Sequence, residues 1–277
     1  MPEDMPNHKD DDLVNDTSVK FLDRAIADHH GNIKNYRTAY RQQKGGNSGA
    51  GVVFLTGFKS DMDGSKAEAL AAWCASEKRD FLRFDYFGHG RSEGNFIDGT
   101  VSLWREEVFS IISELTNGPQ IIVGSSFGGW LSLMAACQKP LNIAALVLIA
   151  PAVDMTDKLM RLRFDQAMLK ELDSKGVCYM PSDYDDVGYP ITSDLIEDGS
   201  KYLMLEKGIE FEGPVRILHG RLDDSVPWSL SLELAGALES KDIEITFVEQ
   251  GDHSLSEPEN ITLLTSTLSR LCDQIQL

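Results

Sequence analysis

A chain of 277 residues is long enough for one large domain with a sizeable core and a small insertion. Its 44 acidic and 26 basic residues give a formal charge of −18, which disfavours nucleic acid and anionic membrane surfaces as partners. No stretch approaches the roughly eighteen consecutive apolar residues of a membrane-spanning helix, so stable membrane insertion is not expected.

The N-terminal residues and the cysteines bear on the cellular compartment. Residues 1–18 are acidic and polar, and we expect them to form a flexible tail, without the features of a secretory signal or a transit peptide. The four cysteines lack the spacing of a metal site or a redox motif, and we expect them to be reduced: Cys74, Cys137, Cys178 and Cys272. These features predict a cytoplasmic protein without a metal or another cofactor.

Short apolar runs alternate with helical patterns along most of the chain. Residues 20–41 have mixed character and predict edge strands of a sheet. Apolar runs then predict strands at 51–56, 81–85, 120–123, 144–149, 215–218 and 243–248. Helical patterns occupy 65–77, 101–116, 127–138, 227–239 and 257–274. This alternation predicts a doubly wound α/β fold with a mostly parallel sheet.

One interval breaks this alternation. Residues 152–213 separate two strands that a single helix would otherwise connect. Residues 155–172 have a helical pattern, and the remainder is rich in Tyr, Pro and Asp, which predicts an irregular lid. Because long insertions in compact domains are usually functional, we expect a core of residues 19–151 and 214–277 with a lid insertion between them.

Ser126 is the candidate nucleophile. It is the central serine of Gly124-Ser125-Ser126-Phe127-Gly128, which follows a predicted strand and precedes a predicted helix. A G-x-S-x-G sequence in this setting forms a sharp turn that exposes the serine hydroxyl at the end of a sheet. Ser125 does not fit the register, since the motif would then need a glycine at Val123.

A serine hydroxyl needs a base, and His253 is the histidine best placed to act as one. It lies in the loop after the last predicted strand, and the loops at the C-terminal ends of parallel strands converge on the site. The other histidines lie in the tail, before any strong strand, in a turn or at a strand end: His8, His29, His30, His89 and His219.

Asp223 is the candidate acid that orients His253 and stabilises its charged form. It follows the predicted strand 215–218 and fits the chain order Ser, Asp, His of this kind of site. Its neighbour Asp224 is the competitor, and the motif register favours Asp223. For Asp224 and Asp252 we prefer a role as helix N-terminal charge or as solvated loop residues.

The negative charge that develops on the substrate oxygen needs two fixed backbone donors. We expect one from the N–H of Phe127, directly after the nucleophile, and the other from Phe58 in the loop after strand 51–56. Gly57 allows the backbone to turn inward there, although a simple loop glycine is an equal alternative.

Three aromatic side chains are candidates for substrate contact: Phe87, Trp130 and Tyr184. Aromatic residues that flank strand ends are usually buried, so core packing remains an alternative for Phe87 and Trp130. Tyr184 belongs to the predicted lid, where contact with substrate and simple packing are both open.

Three stretches of the chain resemble the α/β-hydrolase superfamily: 124–130 (GSSFGGW), 219–228 (HGRLDDSVPW) and 251–256 (GDHSLS). With residues 56–64, 83–94, 102–105 and 118–121, the chain is similar to the palmitoyl-protein thioesterase and acyl-glucuronide esterase type of α/β-hydrolase-domain protein. The resemblance implies an α/β-hydrolase fold, and it places the family's catalytic Ser, Asp and His at Ser126, Asp223 and His253.

Together these features predict a serine esterase or thioesterase that works through an acyl-enzyme on Ser126. The expected substrates are ester or thioester small molecules or acylated proteins, and the sequence does not fix the oligomeric state. A C–C bond hydrolase would use the same triad, and a non-catalytic interaction protein of the same fold is the remaining alternative.

Overall fold

The computed structural model describes residues 18–28, 30–46, 49–182 and 185–275. Residues 1–17 of the predicted tail and the predicted substrate contact Tyr184 lie outside the described residues.

The strands are β1 (Lys20–Ala27), β2 (Ile33–Gln43), β3 (Gly51–Leu55), β4 (Phe81–Phe84), β5 (Gln120–Ser125), β6 (Ile143–Ile149), β7 (Val177–Ser182), β8 (Asp185–Thr192), β9 (Val215–Gly220) and β10 (Ile243–Val248). The helices are α1 (Ser65–Ser76), α2 (Val101–Leu115), α3 (Phe127–Ala136), α4 (Gln166–Lys175), α5 (Ser193–Gly199), α6 (Ser229–Ala237) and α7 (Pro258–Gln274). Among the helices of these ranges, none is long and apolar enough to cross a membrane.

Eight strands form one sheet in the order β1-β2-β4-β3-β5-β6-β9-β10. The predicted edge strands are β1 and β2, and both run antiparallel to their neighbours. All the other neighbouring strands pair in parallel. The prediction of a mostly parallel, doubly wound sheet is therefore confirmed.

The central strands are apolar on both faces because helices cover the sheet on both sides. Alternate side chains of a strand point to opposite faces, and in β3 Val53 and Leu55 join one buried cluster while Val52 and Phe54 join the other. Burying a side chain of this size contributes about 1.5 to 3 kcal/mol relative to leaving it exposed. The sheet is thus a packed platform for the loops that follow its strands.

The segment between β6 and β9 differs from its prediction. The helical pattern at 155–172 corresponds to two separate elements, a π-helical turn (Thr156–Arg161) and α4, rather than to one continuous helix. Asp165 begins α4 by accepting the Met168 N–H at 2.8 Å, and a cap of this kind marks a helix start. The part expected to be irregular contains an antiparallel hairpin of β7 and β8, followed by α5.

Two buried aspartates tie the segment between β6 and β9 together and to the core. The Asp198 carboxylate in α5 accepts the N–H and the hydroxyl of Ser102 in α2, both at 2.6 Å. The Asp154 carboxylate, just after β6, accepts the N–H groups of Met204 at 2.8 Å and of Leu205 at 3.1 Å. Both ends of this segment are therefore fixed by hydrogen bonds to charged groups. Such hydrogen bonds are stronger than those between neutral groups.

Candidate active site

Ser126 occupies the sharp turn between β5 and α3 with a positive backbone φ of 54°. A positive φ is uncommon for a residue other than glycine, and the surrounding structure must hold it. A side chain at Gly124 would lie 2.2 Å from Ser132 Oγ, and one at Gly128 would lie 2.2 Å from the Leu55 carbonyl oxygen. The two glycines of the motif are therefore required by the close packing around the turn.

The structure brings Ser126, His253 and Asp223 into one hydrogen-bonded row. His253 Nδ1 lies 2.7 Å from Asp223 Oδ2, and His253 Nε2 lies 3.1 Å from Ser126 Oγ. An ionised carboxylate only accepts hydrogen bonds, so Nδ1 carries the proton and Nε2 faces the serine with its lone pair. Asp223 follows β9 and His253 follows β10, which places both at the C-terminal ends of parallel strands.

The local contacts of Asp223 hold it as a carboxylate. Its Oδ1 accepts the N–H groups of Ser225 at 2.8 Å and of Val226 at 2.7 Å. Burial raises the pKa of Asp223, but hydrogen bonds from His219 and His253 oppose it and leave the pKa well below its ordinary value. The group is therefore ionised at neutral pH and able to stabilise a positive charge on His253.

A second histidine, His219, shares the Asp223 carboxylate. Its Nε2 lies 3.1 Å from Asp223 Oδ2 and 3.0 Å from the Val226 carbonyl oxygen, and its Nδ1 lies 2.7 Å from Ser231 Oγ. Two acceptors at Nε2 require the proton there, so Nδ1 accepts from the serine hydroxyl. His219 was not predicted as a site residue, although its position four residues before Asp223 was an available signal.

The rival aspartates lie apart from the imidazole. Asp224 is exposed, and its backbone carbonyl accepts a hydrogen bond from Arg163 at 3.1 Å. The Asp252 carboxylate accepts the Leu255 N–H at 2.9 Å within its own loop. Within the described part of the chain, neither carboxylate has a hydrogen bond to His253, whereas Asp223 has one of 2.7 Å.

Phe58 and Phe127, the predicted oxyanion-hole residues, lie beside each other next to the serine. Their rings are 5.9 Å apart, and Phe127 follows Ser126 as the first residue of α3. A side chain at Gly57 would lie 3.5 Å from Ser126 Cβ, so the loop passes close to the nucleophile. Among the residues that the structure describes, no hydrogen bond uses the Phe58 or Phe127 N–H. Both donors are thus available to a ligand.

Two of the predicted substrate contacts are buried. Phe87 is 4% exposed and Trp130 is 0% exposed. The Phe87 ring packs edge-on against Tyr36 with centroids 4.8 Å apart, and the Trp130 ring packs against Phe127 at 6.2 Å. This burial fits the core-packing alternative rather than direct contact with a substrate.

Lys66 on α1 supports the loop that carries His253. Its Nζ donates to the Ser254 carbonyl and to Ser256 Oγ at 3.3 Å. Burial lowers the pKa of Lys66 to about 8, although the charge of Asp252 opposes this shift. No sequence pattern predicts this contact, because 188 positions separate Lys66 from Ser254.

This arrangement is suited to attack on a carbonyl carbon. A hydroxyl beside an imidazole can lose its proton as it attacks, and a carboxylate on the far nitrogen stabilises the resulting imidazolium. Backbone N–H groups next to the hydroxyl can hold the oxygen on which negative charge develops. Acyl transfer needs these three elements together.

The chain is similar to known protein families and to named relatives. Residues 116–270 match the prolyl oligopeptidase family, and residues 46–178 match the family described as serine aminopeptidase, S33. The chain is 39% identical to a Bos taurus protein named palmitoyl-protein thioesterase ABHD10, mitochondrial, over 94% of this chain and 81% of that protein. The Homo sapiens protein of the same name is 38% identical over the same shares.

Two solved structures of similar sequence have the same fold. Alpha/beta hydrolase domain-containing protein 10 from mouse superposes with a TM-score of 0.83 and 37% identity, over 94% of this chain and 100% of that one. A hydrolase structure from Agrobacterium vitis S4 has a TM-score of 0.84 and 32% identity, over 91% of this chain and 99% of that one. The α/β-hydrolase fold implied by the sequence motifs is therefore confirmed.

The predicted cytoplasmic location is wrong. The relatives from cattle, orangutan, human, rat and mouse, at 38% to 39% identity, are all named as mitochondrial proteins. The prediction rested on the acidic, polar first residues and on the cysteine pattern, and neither feature determines a compartment. Similarity over most of the chain outweighs that signal.

Proposed function

Because the chain belongs to the α/β-hydrolase superfamily, as an ester or thioester hydrolase, we propose that its catalytic residues are Ser126, His253 and Asp223. The observation that carries this assignment is the position of the His253 ring, with Nε2 at 3.1 Å from Ser126 Oγ and Nδ1 at 2.7 Å from Asp223 Oδ2. A base must lie within hydrogen-bond reach of the proton that it removes, and this ring does so in the resting site.

In the first half-reaction, Ser126 Oγ attacks the carbonyl carbon while His253 Nε2 takes the hydroxyl proton. Asp223 stabilises the imidazolium, and the N–H groups of Phe127 and Phe58 hold the oxyanion of the tetrahedral intermediate. His253 then returns the proton to the alcohol or thiol as the bond to the leaving group breaks. The product is an ester between the acyl group and Ser126.

In the second half-reaction, a water molecule takes the place of the leaving group. His253 accepts a proton from this water as its oxygen attacks the acyl carbon, and the same two N–H groups hold the second oxyanion. Collapse of this intermediate breaks the bond to Ser126, whose oxygen takes the proton from His253. The carboxylic acid leaves, and the resting site is restored.

For the substrate, we extend the proposal to oxygen esters and acyl-thioesters, in small molecules or on acylated proteins. The relatives named palmitoyl-protein thioesterases support this choice, since the similarity covers 94% of the chain. The half-buried Phe58 ring supports it too, because it forms an apolar wall beside the serine with Phe96 at 4.9 Å and Tyr189 at 6.0 Å. An acyl chain would replace water against these rings.

A hydrolysis panel tests this proposal. Acyl-thioesters and oxygen esters of short, medium and long chains are assayed with the wild-type protein, Ser126→Ala and the matched control Ser125→Ala. We expect Ser126→Ala to lose at least about 1,000-fold in kcat, and Ser125→Ala to keep its activity. Undiminished activity in Ser126→Ala would refute the nucleophile. A preference for short oxygen esters over long thioesters would refute the thioesterase part alone.

A further inference from the structure

His89 contacts the loop that carries Phe58, although it lies in a turn after β4 and far from the other site residues in sequence. It is 3% exposed. Its Nε2 lies 3.0 Å from the backbone nitrogen of Lys59, and its Nδ1 lies 3.0 Å from the Phe87 carbonyl oxygen. The ring therefore links two backbone segments that the sequence separates.

Aromatic side chains enclose the His89 ring. The centroids of Tyr86, Phe96 and Trp104 lie 5.3, 5.0 and 5.4 Å from it. Trp104 Nε1 donates to the same Phe87 carbonyl at 3.0 Å, which fixes that acceptor in place. Packing of this kind holds the imidazole in one orientation.

The two polar contacts determine where the His89 proton is. The Phe87 carbonyl only accepts, so Nδ1 carries a proton, and the Lys59 N–H only donates, so Nε2 offers a lone pair. Both contacts together require a neutral ring. Burial lowers the pKa of His89 to about 4, with the hydrogen bond to Phe87 opposing the shift, which keeps the ring neutral at pH 7.

The Lys59 backbone needs such support. Its φ is 57°, a left-handed conformation that costs free energy for a residue other than glycine. The turn around Phe58 and Lys59 is closed by the Ser60 N–H, which donates to the Gly57 carbonyl at 3.2 Å. On its outer side, Lys59 Nζ lies 5.2 Å from the ring centroid of Tyr189 in β8. The turn is thus held between His89 and the β7–β8 hairpin.

We infer that His89 is a positioning residue for the oxyanion hole, because accepting the Lys59 N–H fixes the turn that presents the Phe58 N–H to the reacting carbonyl. The inference rests on the proposed function, which gives Phe58 its role as donor. A donor that is fixed before the reaction needs no reorganisation when negative charge develops. Loosening the turn weakens binding of the transition state more than binding of the substrate.

The test compares two substitutions of His89. His89→Phe keeps a flat ring without an acceptor, whereas the amide oxygen of His89→Gln can reach the place of Nε2. We expect His89→Phe to lower kcat about 10- to 100-fold with little change in KM, since removing an oxyanion donor outright costs roughly 100- to 1,000-fold. Affinity for a trifluoromethyl ketone, whose adduct places an oxyanion in the hole, should fall by the same factor. His89→Gln should recover most of both losses.

Two results would overturn the inference. One is a folded His89→Phe variant with unchanged kcat, and the other is a loss of kcat without a matching loss of ketone affinity. Ser126→Ala separates this inference from the proposed function. If Ser126→Ala remains active, the proposed function itself is refuted. If Ser126→Ala is inactive and His89→Phe is fully active, only the role of His89 is refuted.

If His89→Phe does not fold, a measurement on the wild-type protein still tests the inference. Ring nitrogen-15 NMR at neutral pH should show His89 as the neutral tautomer with its proton on Nδ1, assigned by the signals that His89→Gln loses. A charged ring, or a proton on Nε2, would overturn the inference because neither form can accept the Lys59 N–H.

Discussion

At the scale of single residues, the Asp223 carboxylate accepts hydrogen bonds from His253, His219 and the backbone N–H groups of Ser225 and Val226. Each of its oxygens is held from two directions, so the carboxylate has one orientation. That orientation aims Oδ2 at His253 Nδ1 and sets the tautomer that the proposed mechanism needs. An amide in the same place can satisfy some of these donors but cannot neutralise an imidazolium.

Asp223→Asn is therefore expected to lower kcat about 10³- to 10⁴-fold while the protein stays folded. The matched control is Asp224→Asn at the exposed neighbouring position, for which we expect kcat within about twofold of the wild type. Steady-state kinetics on one ester substrate measure both variants. Equal losses at the two positions, or a larger loss at Asp224, would contradict the choice of Asp223.

The sequence predicted the individual residues unequally. The position of Ser126 was predictable because its sharp turn requires small residues, which leaves glycines in the sequence. The position of His253 was predictable because it follows the last strand. The contact of His89 with Lys59 was not, since it joins groups that only the folded sheet brings together. The bond between Lys59 and His89 spans 30 positions. A sequence shows that a histidine is present but not which groups it meets.

At the scale of elements, α2 presents a fully buried carboxyl group to β2. Glu107 is 0% exposed, and it accepts hydrogen bonds from the Thr38 hydroxyl and from the Phe87 N–H at 2.8 Å. Burial raises the pKa of Glu107 to about 7, although these hydrogen bonds oppose the rise. The folded protein therefore holds this proton more tightly than the unfolded chain does.

The sign of the resulting pH dependence follows from proton binding. Between the ordinary pKa of 4.5 and about 7, the folded state binds more protons at Glu107 than the unfolded state. Its contribution to the free energy of unfolding therefore falls as pH rises through that window, by about 2 to 3 kcal/mol, and is level above it. Glu107→Gln should remove this part of the fall, as measured by urea unfolding at pH 5 and pH 8. The exposed neighbour Glu106→Gln is the control, and an unchanged fall in Glu107→Gln would contradict the argument.

The contact between α5 and α2 gives another prediction. Asp198→Ala removes the acceptor of the Ser102 N–H and hydroxyl, so we expect the free energy of unfolding to fall by about 2 to 3 kcal/mol. Glu197→Ala, at an exposed position of the same helix, should change it by less than about 0.5 kcal/mol. Urea denaturation of both variants measures this. Equal stability of the two would show that Asp198 does not anchor α5.

The elements of the sheet were predictable and those between β6 and β9 were less so. Strands buried on both faces leave continuous apolar runs in the sequence, as in β5 and β6. The β7–β8 hairpin left no such run, because a two-stranded ribbon has open edges that tolerate Pro181 and Pro190. Nor did the helical pattern at 155–172 reveal the break before Asp165, since apolar residues continue on both sides of it.

At the scale of the whole molecule, strand order explains how a dispersed set of residues meets. β5 lies between β3 and β6, and β9 and β10 follow on the β6 side. The loops after β3, β5, β9 and β10 all leave the same edge of the sheet, where parallel strands end. They carry Phe58, Ser126, Asp223 and His253 in that order. Sequence alone predicts this convergence once the sheet is taken as parallel.

The most direct test of the central claim is to map the residue that a fluorophosphonate probe modifies. The probe reacts with an activated serine, and peptide mass spectrometry locates the adduct. We predict one adduct, on Ser126, that is absent in Ser126→Ala and retained in Ser125→Ala. Labelling at another residue, or undiminished labelling of Ser126→Ala, would contradict Ser126 as the nucleophile.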